Sequence, residues 1–220
     1  LVPFLEEARA LGYGYVGVSG GEPLVWPDLD RFLQAARGLG YSTAIVTNGT
    51  LITPERAREL KRTAGVVAVS VAGPPEEHAA MRGSETAFPR MVQGLSVLRA
   101  EGVPFVLVFT LSRTNADRLS WVYEFAGEVG ARAVEVHPLC DFGAASVNLP
   151  NAIPDSQEFR VAGWLLAMLS VEQGNRGPGV VMDVYRRAIV EASAWPLLPG
   201  RDRTSPSVAF ADLVPSLIVE

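Results

Sequence analysis

The chain has 220 residues, 48% of them hydrophobic and 20% charged, enough apolar material for one sizeable core. A net charge of −5 and a pI near 5.2 exclude the basic footprint of a nucleic-acid binder, and no apolar run approaches the roughly 20 residues that a bilayer-spanning helix needs. The single cysteine, Cys140, excludes a disulfide framework, and with only His78 and His137 as histidines it excludes a closed zinc or iron–sulfur site on these residues alone. With no signal peptide visible, the chain reads as cytoplasmic.

In chain order, Leu1 to Leu11 reads as a helix remnant closed by Gly12, with Leu5, Ala8 and Leu11 on one face. Tyr15 to Val18 is a strand. Asp28 is placed to cap a helix reaching Arg37, with Gly38 and Gly40 as stops, and Thr43 to Thr47 is the next strand. Thr53-Pro54-Glu55 is a helix start, with a cap, a proline at the first helical position and an acid in the first turn; that helix ends near Gly65. Val66 to Val71 is a third strand, followed by a turn at Pro74 and Pro75 and a helix from Phe88 to Glu101. Phe105 to Thr110 is a strand. Asn115 or Thr114 caps a helix to Val129, and Ala133 to His137 is a fifth strand.

Asn148 to Pro154 reads as a loop. Asp155 with Glu158 forms a capped start to a helix reaching Gln173, and Val180 to Val184 is a sixth strand. Ala194 to Pro206 is a linker rich in proline and glycine, and Phe210 to Val219 is extended, with Leu217 to Glu220 a strand cut short. Both termini read as breaks in a longer protein.

Strands alternating with helices predict βα units and a parallel sheet, and the nearly all-apolar strands predict cover on both faces. Polar and glycine-rich residues gather just after each strand: Ser19 to Glu22, Thr47 to Gly49, Ser70 to Gly73, Ser112 to Asn115 and Pro138 to Gly143. In parallel α/β folds that end of the sheet is the binding face. At the first of these ends Gly20 and Gly21 lack a Cβ, so a ligand can approach bare backbone. Glu22 places an acceptor there and Pro23 keeps Glu22 out of helical geometry. Such an acceptor-rich corner suits an ammonium group.

Ser19-Gly20-Gly21-Glu22-Pro23 resembles the methionine-binding motif of the radical SAM superfamily, in the branch that modifies peptides and matures cofactors and carries SPASM extensions. Thr47-Asn48-Gly49 resembles the segment of that family beside the methionine and ribose of the cofactor. Val69-Ser70-Val71-Ala72-Gly73, with His78, Arg82 and Gly83, resembles the next conserved strand end. There Ser70 is implied to reach the cofactor's ribose or carboxylate, while Ala72 and Ala79 stand where the family usually has aspartate. For His78 itself the reading is a helix-capping or surface role, and for His137 hydrogen bonding or packing. Thr110 to Asn115 resembles the segment in which Arg113 is placed to pair with the methionine carboxylate, a surface ion pair being the other reading. Glu135 to Leu139, then Gly143, resembles the last conserved strand, whose Val136 and Leu139 are implied to pack against adenine. Phe210 to Val219 resembles the run into a SPASM extension.

The resemblance implies an α/β fold, a partial (βα)6 TIM-like barrel of parallel strands with its first strand missing. It implies a core over 1–143, the helical and last-strand end over 144–194, and a linker with the start of a truncated extension over 195–220. It implies S-adenosylmethionine (AdoMet) held by Gly20, Gly21, Glu22, Pro23, Thr47, Asn48, Ser70, Arg113, Val136 and Leu139. It also implies a 4Fe–4S cluster whose three cysteine ligands are not in this chain and are expected upstream of Leu1. The partners implied are a peptide or small-molecule substrate and a reductant such as ferredoxin or flavodoxin, with no nucleic acid and no membrane. The alternative is a cluster-free relative that binds a nucleotide, a peptide or a partner protein. A phosphate-binding barrel is disfavoured, because no strand end leads through a phosphate-type glycine loop into a helix.

Overall fold

In a computed structural model, residues 2–139, 150–174, 177–182 and 216–219 are described. Cys140, Gly143, the 195–206 linker and Phe210 to Pro215 lie outside them. The elements run α1 (Val2–Ala10), β1 (Tyr15–Val18), α2 (Leu29–Gly38), β2 (Ser42–Thr47), α3 (Pro54–Thr63), β3 (Val66–Val71), α4 (Pro75–Arg82) and α5 (Ala87–Ala100). They continue with β4 (Phe105–Leu111), α6 (Leu119–Val129), β5 (Ala133–Pro138), α7 (Ser156–Gln173), β6 (Gly179–Met182) and β7 (Ser216–Val219). The alternation expected from the sequence is present. Among the described residues no helix is long and apolar enough to cross a membrane.

The chain divides into two compact units. In the first, made of residues 2–69, 90–105 and 216–219, the strands lie in the order β3-β2-β1-β7, and every pair is parallel. Tyr15 aligns with Ser42 on one side and with Ser216 on the other. The edge of β1 that faces away from β2 is therefore covered by β7, where the sequence suggested a strand cut short but not its partner. Leu5, Leu29, Leu33, Ile45, Leu60, Met91, Leu95 and Leu98 are at most 1% exposed and form this unit's core. They come from one face of each helix and from the β2 interior. The β2 strand is anchored below its binding end by Thr43, whose hydroxyl donates to the Thr63 carbonyl at 2.9 Å and accepts from the Gly65 amide at 3.1 Å.

In the second unit, residues 70–89, 106–139, 150–174 and 177–182, β5 lies between β4 and β6, again all parallel, with Phe109, Val136 and Met182 in one row. Phe109, Leu107, Leu111 and Phe159 are fully buried there.

Three local expectations are corrected. The Pro74-Pro75 turn is the start of a helix, α4, with Pro75 at its first position, where the missing N–H costs nothing. Asp28 precedes α2 but makes no side-chain capping bond. Asn115 does not cap either. Its Oδ1 accepts from the Ser112 amide at 2.7 Å and its Nδ2 donates to the Thr110 carbonyl at 2.9 Å, so it ties off the end of β4. The Thr53 cap is present, accepting from the Arg56 amide at 3.2 Å. So is the reciprocal Asp155–Glu158 capping box, with bonds of 2.8–2.9 Å.

One close approach sets the loop after β2. A Cβ on Gly94 of α5 would sit 2.2 Å from the Gly49 carbonyl oxygen, and Gly49 itself has φ +77°. Only a glycine at position 94 lets α5 lie directly on that loop, and only a glycine at 49 turns it without strain. Gly94→Ala should force backbone to move and lower stability by about 1–3 kcal/mol. Chemical denaturation measures this, and an unchanged midpoint would refute the contact.

Candidate functional site

The ends of β1 and β2 meet at the Glu22 carboxylate. Glu22 has extended backbone (φ −146°, ψ 105°) just ahead of a single 3-10 turn, Pro23–Val25, so its side chain is free to reach both forward and across. One oxygen, Oε1, accepts from the Leu24 amide at 3.0 Å and from the Thr47 hydroxyl at 2.7 Å. The other, Oε2, accepts from the Asn48 amide at 2.8 Å. The Thr47 hydroxyl in turn accepts from the Gly49 amide at 3.1 Å. A carboxylate offers about four lone-pair positions, so among the described residues three of them are filled and one is left. Glu22 is a brace between two strand ends.

Gly20 has φ +118°, which L side chains rarely adopt, and so it has a purely conformational reason to be glycine. Gly21 has none. A Cβ there would meet nothing within 4 Å, and its φ is not positive. The bare backbone at Gly21 faces open space beside the Glu22 carboxylate. Gly20, Gly21, Glu22, Pro23, Thr47 and Asn48 are thus brought together as the sequence suggested.

The remaining expected residues lie in or at the second unit. Ser70 is half-buried, one residue short of the end of β3. The amide of Leu139 donates to the Leu111 carbonyl at 2.7 Å, which extends the β4–β5 ladder past the strand end. Val136 is completely buried in the β5 interior, on the side-chain row of Val134 and Pro138, so its side chain serves the core. Arg113 is engaged as an ion pair. Its Nε lies 2.8 and 3.1 Å from the two Glu158 oxygens, Nη2 lies 3.7 Å from Asp155, and its amide donates to the Ala152 carbonyl. Among the described residues no group of three or more His, Cys, Asp or Glu side chains could hold a metal ion.

His78 is buried rather than at the surface. Its Nδ1 accepts from the Ala72 amide at 3.2 Å, and its ring meets Phe88 edge-on at 5.6 Å. Burial, with Arg82 adding to it, pushes the imidazole from 6.5 to about 4. The preceding residue in this helix, Glu77, accepts from Arg118 Nε at 2.6 Å. The α4 start is thereby pinned to the end of β3. Sequence reasoning missed this because it missed α4.

Two measurements follow from this geometry. Glu22→Gln cannot satisfy both sides of the brace, because its amide nitrogen must face a donor. It should cost about 1–3 kcal/mol, read as a fall in Tm; a Tm equal to wild type would show that the brace does not form. His78 is neutral in the fold and takes a proton near pH 6.5 when unfolded, so its effect on stability is constant above pH 6.5. Between pH 6.5 and about 4 protonation favours the unfolded chain by up to about 1.4 kcal/mol per pH unit. His78→Gln, which does not titrate, should show a shallower decline of Tm from pH 7 to 4. Equal slopes would refute this.

The sequence matches the model of the radical SAM superfamily over residues 3–126. It is 33% identical, over 168 residues, to the "AdoMet-dependent heme synthase" of Methanosarcina barkeri, an alignment that takes in 75% of this chain and 47% of that protein. The chain therefore spans about half the length of this relative. The fold is similar to that of Streptococcus suis SuiB bound to S-adenosylmethionine, with TM-score 0.69 and 16% identity over 83% of this chain and 40% of SuiB. It is also similar to anSMEcpe with bound AdoMet and the Kp18Cys peptide, with TM-score 0.61 and 18% identity over 81% of this chain and 53% of that one. These likenesses show the fold class expected from the sequence, parallel α/β of the partial-barrel type. A family match over more than half of its length, joined to a glycine–glycine–carboxylate corner braced to the next strand end, places this chain in the radical SAM superfamily.

Proposed function

We propose that the whole protein is a radical SAM enzyme that binds AdoMet at the β1–β2 corner and modifies a peptide or a small molecule. The observation that carries this reading is Gly21: its lack of a side chain is required by nothing in the chain, and it lies beside a carboxylate with one acceptor position left. A bare backbone and one fixed acceptor suit an ammonium group such as that of a methionine moiety. In this reading Gly20, Gly21, Glu22 and Pro23 form the floor, and Thr47 and Asn48 the wall. Ser70 and Leu139 are the proposed contacts at their own strand ends. Val136 contributes by shaping the strand beneath Leu139, and Arg113 would have to exchange Glu158 for a ligand carboxylate.

The residues do not fit a 4Fe–4S cluster. The chain's one cysteine cannot supply three thiolates, so the ligands belong to sequence outside these 220 residues. Such a cluster, held by residues outside this sequence, would supply the electron for reductive cleavage of AdoMet, and the residues here would position AdoMet and exclude competing reactions. A peptide substrate accords with SuiB, solved bound to the precursor peptide SuiA, and with anSMEcpe, solved with peptides. A reductant such as ferredoxin or flavodoxin is part of the same proposal.

The test is anaerobic iron–sulfide loading of the full-length protein, followed by reduction with dithionite in the presence of AdoMet. Formation of 5′-deoxyadenosine is expected, and Gly21→Val should weaken AdoMet binding while shifting Tm by less than about 1 kcal/mol equivalent. AdoMet binding without iron and without cleavage would favour the cluster-free reading instead. No AdoMet binding under either condition would overturn both.

A further inference from the structure

We infer that Thr50 is a positioning residue that sets which way the Asn48 amide faces, and so makes residue 48 a hydrogen-bond donor to the bound ligand. This rests on the reading of the β1–β2 corner as the AdoMet site. Asn48 Oδ1 accepts from the Thr50 amide at 2.9 Å and from the Thr50 hydroxyl at 2.7 Å. A backbone N–H can only donate, so the orientation of the carboxamide is not interchangeable. A flip would set its NH2 against the Thr50 N–H and lose that bond, and the Thr50 hydroxyl would have to turn from donor to acceptor.

The same residue is held from behind, because its own amide donates to Glu22 Oε2 at 2.8 Å. The turn between the two anchors is closed by Gly49 at φ +77°, with α5 packed on it through Gly94. Backbone and side chain of Asn48 are thus clamped independently, and the clamp spends every acceptor of the residue's amide on Thr50. What the half-buried side chain has left to offer is the Nδ2 donor pair. Together with the one remaining acceptor position on Glu22, the corner presents a donor and an acceptor side by side. The ligand group that meets Asn48 is accordingly an acceptor, a carboxylate or hydroxyl oxygen of AdoMet. Thr50 selects it without touching it.

The experiment compares wild type, Thr50→Val, Thr50→Ser and Asn48→Asp in the full-length, cluster-loaded protein, measuring KM for AdoMet and kcat for 5′-deoxyadenosine formation. Thr50→Val keeps the shape and the backbone donor but loses the hydroxyl. It should raise KM about tenfold, with a smaller fall in kcat. Thr50→Ser restores the hydroxyl and should lie within about twofold of wild type. Asn48→Asp can still accept both Thr50 bonds but carries no donors, so it should keep its Tm and raise KM by about a hundredfold. If Thr50→Val fails to fold, Asn48→Asp decides. Wild-type cleavage with KM unmoved in Asn48→Asp, or in a folded Thr50→Val, overturns the inference alone. So does Thr50→Ser behaving like Thr50→Val. Absence of AdoMet binding by the wild type overturns the functional reading, and this inference with it.

Discussion

One carboxylate organises the first unit. Parallel strands end with backbone groups that no longer have a ladder partner, and at the ends of β1 and β2 Glu22 satisfies two such amides and the Thr47 hydroxyl at once. An ionised acceptor makes shorter and stronger bonds than a neutral one, which suits a position where two chain segments must be held in register without a third strand between them. The arrangement also explains the order of residues around it. Gly20 turns the chain at a φ that other residues avoid, Pro23 keeps Glu22 extended, and Thr47 lies 25 positions later, at the end of the next strand. The structural role of the acid in this motif consumes most of its hydrogen-bonding capacity.

The second strand end inherits its precision from this brace and from a packing contact. Gly94 brings α5 against the Gly49 carbonyl, and Asn48 is tied at both its amide and its side chain. The loop is thus held by a helix face and a carboxylate from distant stretches and by its own Thr50. A binding loop fixed from several directions loses little freedom when a ligand arrives, and this is how preorganisation strengthens binding.

The second unit shows a different solution. Where the family resemblance leads one to expect an acid, Ala72 is buried and its amide is held by His78, while Glu77 of the same helix is bonded to Arg118. The neutral imidazole is a consequence of burial, and its acceptor nitrogen is what the Ala72 amide needs. Arg113 follows the same pattern. A guanidinium that could serve a ligand carboxylate is engaged by Glu158, 45 residues away, and its backbone by Ala152. There a charged side chain chosen from its local motif is claimed by a distant partner.

Local chemistry carried much of this protein. Runs such as Thr43 to Thr47 and Phe105 to Thr110 read as buried strands because they are rich in β-branched and aromatic residues. Thr53-Pro54-Glu55 and Asp155 with Glu158 read as helix starts because capping needs only neighbours within one turn. The glycine–carboxylate corner was legible for the same reason. Where one short polar residue had several partners within reach, sequence could not choose: Asp28 and Asn115 looked like caps and are not, and two prolines looked like a turn and begin a helix. Tertiary structure alone decided that Glu22 would bond Thr47, that His78 would be buried, that Val136 would face the core, and that β7 would lie against β1. Each of these depends on which segments meet in space, and a contact between residues tens of positions apart leaves no mark in the spacing of either one.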